Sequence, residues 1–262
     1  MDSSYNSEKY RFKRALLVPL VFIAVIWIIF LIQTLTGFRP GTLGVLPRDL
    51  WGLVGILFSP LLHGSLDHIV SNSIPFVVMC TSIFYFYEKV AARSFIMMYF
   101  LSGIALWLLG NLFFCGTDFN RSCSLPHIGA SGIVYALLSF IFWTGVFRKS
   151  LQSIILALVV TVMYSGYFAG IGPNQEGNVS WEGHLLGAIV GIFTAFYFRD
   201  ELEDFEIESM RDIYANQDHK KETPFLTQDA FNMTKEERRQ KEIEDRRRTA
   251  LEKRDDMWTT DL

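Results

Sequence analysis

The sequence predicts an all-α polytopic membrane protein, a bundle of six transmembrane helices followed by a cytoplasmic C-terminal tail. Three observations carry that prediction. Apolar runs long enough to cross a bilayer recur up to about residue 199. Charged residues are scarce in that stretch and abundant after it. Lys and Arg cluster in every second connection between the runs. The chain divides accordingly into a cytoplasmic N-terminal segment (1–14), a membrane domain (15–199) and a polar, partly helical cytoplasmic tail (200–262).

The spans are expected at 15–36, 68–87, 94–114, 129–147, 150–171 and 183–199, each within the roughly 17–25 residues a crossing helix needs. The first run is too long for the apolar core of a signal peptide and has no small-residue cleavage site, so it reads as a retained anchor. A shorter apolar stretch, 50–62, is broken by Gly52, Gly55 and Pro60 and suits an interfacial or re-entrant segment. Cys80 falls inside a span and reads as a buried thiol, whereas Cys115 and Cys123 flank one loop and can bridge only if that loop faces an oxidising compartment.

Direction follows from the basic residues. Lys9, Arg11, Lys13 and Arg14 precede the first span, Lys89 and Arg93 join spans two and three, Arg148 and Lys149 join four and five, and Arg199 follows six. The alternate loops hold Arg39 and Arg48, Arg121 alone, and no basic residue over 172–182. Both termini are therefore expected in the cytoplasm. Spans two, four and six then start at the outer side. That places His63, His68 and Asn72 at a depth similar to Ser131 and His184. A helix over 129–147 is about 27 Å long, slightly less than a hydrocarbon core of about 30 Å, so Ser131 begins below the outer surface. A polar group there needs a water-filled cavity or protein cover.

Two stretches stand out chemically, His127-Ile-Gly-Ala-Ser131-Gly132 and Trp181-Glu-Gly-His184-Leu-Leu-Gly187. A serine hydroxyl becomes a nucleophile when a base takes its proton, and histidine is the usual base. Gly183, Gly187 and Gly191 form a small-residue stripe that lets helices approach closely, and Gly129 and Gly132 do the same around Ser131. The first turn of a helix at Ser131 offers unbonded backbone N–H groups for an oxyanion, and Asn72 offers a side-chain amide. His68 lies one turn before Asn72 on the same face, and Tyr135 one turn below Ser131, where its ring can stack on His184. No carboxylate is well placed as a third member among Asp67, Asp118 and Glu182, so a dyad is the simpler arrangement. Each of these residues alone also suits ordinary helix packing or interfacial hydrogen bonding. Their convergence favours function, because polar groups within a membrane are costly.

Together these residues resemble the rhomboid family of intramembrane serine proteases. The matching pieces are His63-Gly-Ser-Leu-Asp-His68-Ile-Val-Ser-Asn72, Glu88-Lys-Val-Ala-Ala-Arg93, Gly129-Ala-Ser131-Gly132-Ile-Val-Tyr135 and His184-Leu-Leu-Gly187-Ala-Ile-Val-Gly191. The resemblance covers roughly 50–199 and implies a six-helix core with a Ser131–His184 dyad, in the basic form common in prokaryotes and hence in a bacterial cytoplasmic membrane. It implies an oxyanion hole from Asn72, His68 and the Ser131 N–H, support of His184 by Tyr135, and support of the water-accessible cavity by His63. Glu88 and Arg93 would be structural. Substrates would be membrane-spanning proteins cut in or near the bilayer, with the fifth helix and the 172–182 loop gating access. No cofactor or metal is implied. Two departures stand out. Gly52 follows Trp51 where many members have arginine, and Ile128 stands three before the nucleophile where some have glycine.

Other readings are weaker. A catalytically silent rhomboid-like binding or quality-control protein would typically lack a dyad member, and this chain keeps both. A transporter would need polar residues through both leaflets, and here they gather at one side. No His-Glu-x-x-His occurs, against a metalloprotease. A net charge of −3 gives no indication of nucleic acid as a partner; the expected partners are the lipid bilayer and transmembrane substrates. In the tail, Thr234-Lys-Glu-Glu237 resembles a capping box, and Glu237/Lys241, Glu242/Arg246 and Glu244/Arg248 are spaced to support a helix.

Overall fold

A computed structural model describes residues 2–112, 126–172, 180–208, 211 and 234–259. Eight α-helices are described: α1 (Asp2–Thr36), α2 (Gly52–Phe58), α3 (Leu66–Phe86), α4 (Ala91–Leu109), α5 (Ser131–Arg148), α6 (Leu151–Met163), α7 (Trp181–Tyr197) and α8 (Lys235–Thr259). Among the described residues there is no sheet, only an isolated antiparallel bridge between Val45 and His127. The chain falls into two compact units, Met1–Met210 and Arg211–Leu262.

Four helices are long and apolar enough to cross a membrane: Glu8–Thr36, Leu66–Phe86, Ala91–Leu109 and Ser131–Arg148. A fifth crossing is available if α6 and the 3-10 turn Ser165–Ile171, bent by 69°, act as one span. The expected fifth span is thus broken. Hydropathy runs smoothly through 150–171, but the chain turns after Met163, where Gly166, Gly170 and Gly172 follow. The last expected span is the 17-residue helix α7. The 50–62 stretch forms α2 and a 3-10 turn, Ser59–Leu61, which has Pro60 in its first positions and ends before the extended Leu62. Cys115 and Cys123 lie outside the described residues.

The helix α5 is apolar on every side, and Ile133, Val134, Ala136, Leu137, Phe140 and Ile141 are all buried. Such a helix belongs at the centre of a bundle, and α3, α4, α6 and α7 pack around it. By contrast α1 keeps Leu17, Leu20, Val21, Ile28, Leu31 and Ile32 exposed and lies against α3 at the periphery. Large outward-facing apolar side chains are what a lipid-facing helix presents.

Among the described helices the closest approach is between α5 and α7. A Cβ on Gly187 would stand 2.1 Å from the Gly132 carbonyl oxygen, and one on Gly191 would stand 2.3 Å from that of Ala136. Four residues along α7 correspond to four along α5, so the two helices run in the same direction with backbones in contact. Only glycine permits this distance.

The first loop is braced without an arginine after Trp51. Trp51 itself is 79% exposed. Arg48 supplies the brace instead. Its Nη1 donates to the carbonyls of Leu108 (3.2 Å) and Gly110 (2.8 Å), and its backbone N–H donates to that of Trp107 (2.9 Å). Trp107 Nε1 returns a bond to Asp49 O at 2.8 Å. Gly52 and Gly55 let α2 lie on the backbone of residues 44–46; a Cβ at Gly52 would fall 1.9 Å from Leu46 O.

At the other end of the bundle, Arg148 and Glu206 form an ion pair at 2.8 Å with both side chains 1% exposed. Glu206 also accepts from Ser153 Oγ (2.7 Å), at the start of α6, and from the Glu203 N–H (2.8 Å). Residues 203–207, expected in the tail, are therefore partly buried in the first compact unit. The second unit holds α8, opened by Thr234: Glu237 Oε2 accepts from the Thr234 N–H at 2.8 Å, as in a capping box.

Candidate functional site

Three helix N-termini meet at one end of the bundle. Ser131 is the first residue of α5, half-buried, with Ala130 as its cap. His184 is in the first turn of α7, 7% exposed. His68 and Asn72 lie on the first turns of α3, whose cap is Ser65 accepting from the His68 N–H at 3.2 Å.

The α5 and α3 mouths join through Gly129. Its φ of +110° is closed to residues with a side chain. A Cβ there would sit 2.5 Å from His68 Nε2 and 3.7 Å from Asn72 Nδ2. The histidine ring and the amide therefore crowd the backbone two residues before Ser131. Asn72 is 4% exposed, and its Nδ2 is buried without a hydrogen-bond acceptor. An unpaired buried donor is costly, and this one faces the turn that leads to Ser131. His63, just before α3, is fully buried with its ring edge-on to His68, centroids 5.0 Å apart. Burial first, and the His68 charge second, hold its pKa down at about 3.

The α7 mouth joins α5 through the glycine contacts and through Tyr135. The Tyr135 and His184 rings stack with centroids 4.2 Å apart and planes 16° from parallel. His184 Nδ1 is 2.9 Å from the Gly170 carbonyl oxygen. A carbonyl only accepts, so Nδ1 carries the hydrogen and Nε2 is left as the basic nitrogen. Gly170 has no room for a side chain, since its Cβ would fall 1.9 Å from Tyr135 Oη. Tyr135 Oη donates to Tyr167 O at 2.8 Å, and Tyr167 Oη donates to Ser71 O at 2.9 Å. Ser71 is four residues before Pro75, which has no N–H to give it. The proline in α3 thus frees the acceptor that ties down the turn beyond α6.

Sequence reasoning assigned no role to Gly170, Tyr167 or His127. Gly170 and Tyr167 lie within a stretch read as plain span, and their purpose depends on a bend that hydropathy does not register. His127 was visible in the motif, and a serine three residues before Gly183 was readable as a helix cap. Glu182 is buried and turned away from His184, accepting the Asn111 N–H. Asp67 is exposed. Asp118 and residues 173–179 of the expected gating loop lie outside the described residues. Ile128, in place of glycine, lines the same cleft as Ser131, with Ser59, Ser102, Gly129 and Gly183.

These features define a helical integral membrane domain with polar groups gathered where three helices begin. The rhomboid domain pattern matches residues 47–201, and the chain belongs to the rhomboid family. Uncharacterized proteins of Mycobacterium tuberculosis and Mycobacterium bovis are each 35% identical over 185 residues, covering 68% of this chain and 72% of theirs. A Bacillus subtilis protein bearing the name "Putative rhomboid protease YdcA" is 25% identical over 183 residues, 66% of this chain and 82% of its own.

Proposed function

We propose that this chain is an intramembrane serine endopeptidase that cuts transmembrane proteins in or near the bilayer. Ser131 is the nucleophile and His184 the general base. The observation that carries the reading is the held imidazole: Gly170 O fixes the hydrogen on Nδ1 and Tyr135 fixes the plane. That leaves Nε2 to take the Ser131 proton as Oγ attacks the scissile carbonyl. The same proton then passes to the leaving amine, and a water attacks the acyl-enzyme with His184 again as base. The tetrahedral oxyanion is received by the Ser131 N–H, Asn72 Nδ2 and His68, of which Asn72 already has a donor to offer.

In this reading α7 is the sixth crossing, the bent α6 pair the fifth, and both termini are cytoplasmic. Substrate reaches the site between α3 and the turn after α6. Purified protein in detergent should react with a fluorophosphonate probe and cleave a model transmembrane substrate. Ser131→Ala and His184→Ala should abolish both reactions. Parental cleavage by either variant would overturn the proposal. A correctly folded parent that neither labels nor cleaves would point instead to a catalytically silent rhomboid-like binding protein.

A further inference from the structure

His127 lies four residues before Ser131 and takes no part in the proton transfer just described. Four parts of the fold nevertheless meet on it. Its backbone exchanges two bonds of 2.9 Å with Val45 of the first loop. Its carbonyl also accepts from Ser59 Oγ at 2.9 Å, and the Ser59 carbonyl accepts from the Gly129 N–H at 2.9 Å. Its side chain points the other way. Nε2 is 2.8 Å from Asn111 Oδ1, just beyond α4, and Nδ1 is 2.6 Å from Ser180 Oγ, the cap of α7.

The donors and acceptors fit one protonation state. An amide oxygen only accepts, so Nε2 carries the hydrogen. Nδ1 is then bare and takes the hydroxyl hydrogen of Ser180, whose oxygen still accepts the Gly183 N–H at 3.2 Å. The groups facing the ring are Asn111 from the end of α4 and Ser180 from α7. Behind Asn111 stands Glu182, whose carboxylate accepts the Asn111 N–H. Burial holds His127 at about 4, in keeping with a neutral ring.

We infer that His127 is a positioning residue, a neutral imidazole clamp that ties the N-terminus of α7 to the first loop and to the strand-like approach to α5. The clamp sets where His184 stands relative to Ser131. Its bond to Ser180 ends at the residue that caps α7, and His184 is four residues further on the same helix. The chain on its other side leads through Gly129 directly to Ser131. Holding both mouths from one ring fixes their separation without either reacting group being touched. For its effect on chemistry the inference rests on the proposed dyad.

The test uses full-length protein in detergent, with a fluorophosphonate probe and with ¹⁵N-histidine spectra. His127→Phe keeps a ring and loses both bonds; Ser180→Ala loses the hydroxyl, and Ser180→Thr keeps it. At saturating probe, His127→Phe and Ser180→Ala are expected to label Ser131 at least about tenfold more slowly, as befits misplacement by a fraction of an ångström. Their half-saturating probe concentration should stay near the parent's. Ser180→Thr should restore most of the rate. Should His127→Phe fail to fold, the Ser180 pair decides. The spectra are read in the Ser131→Ala background, where activity plays no part. There Ser180→Ala should shift the His184 ring nitrogens, assigned by His184→Ala. Folded variants that label at the parental rate, or His184 signals that stay in place, overturn the clamp. An unreactive parent whose His184 signals still move on Ser180→Ala would overturn the protease reading and leave the clamp standing.

Discussion

The imidazole of His184 lies flat against the phenol ring of Tyr135, at 4.2 Å between centroids, while its Nδ1 hydrogen points at the carbonyl of Gly170. Ring stacking fixes the plane and the carbonyl fixes the tautomer. A single backbone oxygen thereby orients the imidazole as a carboxylate orients the histidine of a triad. The two constraints are separable by substitution. Tyr135→Phe keeps the stack and loses the bond to Tyr167 O. One neutral hydrogen bond contributes about 0.5–1.5 kcal/mol, so labelling by a fluorophosphonate should slow only a few-fold. Tyr135→Leu removes the stack as well, worth a further ~0.5–1.5 kcal/mol, and should slow it by tenfold or more. Equal rates for Phe and Leu would show that the ring plane is not what matters.

The contact of α5 with α7 makes a second prediction. Gly187→Ala brings a methyl group to 2.1 Å from Gly132 O, and backbone has no rotamer by which to yield. The helices must separate by roughly an ångström, and such a shift near a reacting pair can cost on the order of 10²-fold in rate. Overpacking costs about 1–3 kcal/mol in stability, which a folded bundle can survive. The expected result is a protein that still melts cooperatively and has lost most of its reactivity with the probe. Gly132→Ala, with its Cβ at 3.4 Å from Gly183 O, should be far milder.

What the sequence made legible follows from what hydropathy and spacing measure. The apolar runs at 68–87 and 129–147 anticipate α3 and α5 to within a few residues. The glycine stripe of α7 was readable because a four-residue repeat of small residues lets membrane helices pack closely. The bend after Met163 was not readable, since Tyr164, Ser165 and Gly166 barely lower the hydropathy of the run. Nor was the role of Arg48. The resemblance points to the position after Trp51, which here is Gly52, whereas the bracing comes from Arg48, at a φ of +58°. Long-range partners such as Ser71 and Tyr167 are set by tertiary geometry, which no local pattern encodes.

Two buried histidines outside the spans give the pH prediction. The folded protein holds His127 at about 4 and His63 at about 3, against 6.5 unburied. Below about 6.5 the unfolded chain takes up protons that the folded chain refuses, so folding loses stability as pH falls. Their contribution is complete above that point. It declines until about 4 for His127 and about 3 for His63. Each site costs about 1.4 kcal/mol per pH unit within its window. The melting temperature in detergent should therefore drop steeply from about pH 6.5 to about 4, and His127→Asn should flatten the slope. A melting temperature unaltered across that range would contradict the burial of both rings.

The bond from Tyr167 Oη to the carbonyl of Ser71 joins α3 to the turn after α6. Tyr167→Phe releases it and leaves the Tyr167 carbonyl in place for Tyr135. If substrate enters between these elements, Tyr167→Phe should speed cleavage of a transmembrane substrate by about the few-fold one hydrogen bond allows. Labelling by a small fluorophosphonate, which needs no such opening, should change little. A parallel change in both rates would place the entry elsewhere.

The ion pair of Arg148 with Glu206 is the most enclosed ion pair among the described residues, and it holds three elements at the end opposite the site. Arg148 comes from the last turn of α5, and its Nη2 also donates to Phe198 O at 2.9 Å, beyond α7. Glu206 receives Ser153 at the start of α6 and the Glu203 N–H. Removing one partner leaves a buried charge uncompensated and should cost about 3–5 kcal/mol. Arg148→Ala and Glu206→Ala should each lower the melting temperature sharply. Replacing both, as Arg148→Met with Glu206→Leu, removes the charge along with its partner and is often close to neutral. Here it should recover much of the loss but not all, because the Glu203 N–H and Phe198 O then lack their partners. A double variant no more stable than either alanine variant would mean that the hydrogen bonds around Glu206, and not the charge pair, hold the base of α6.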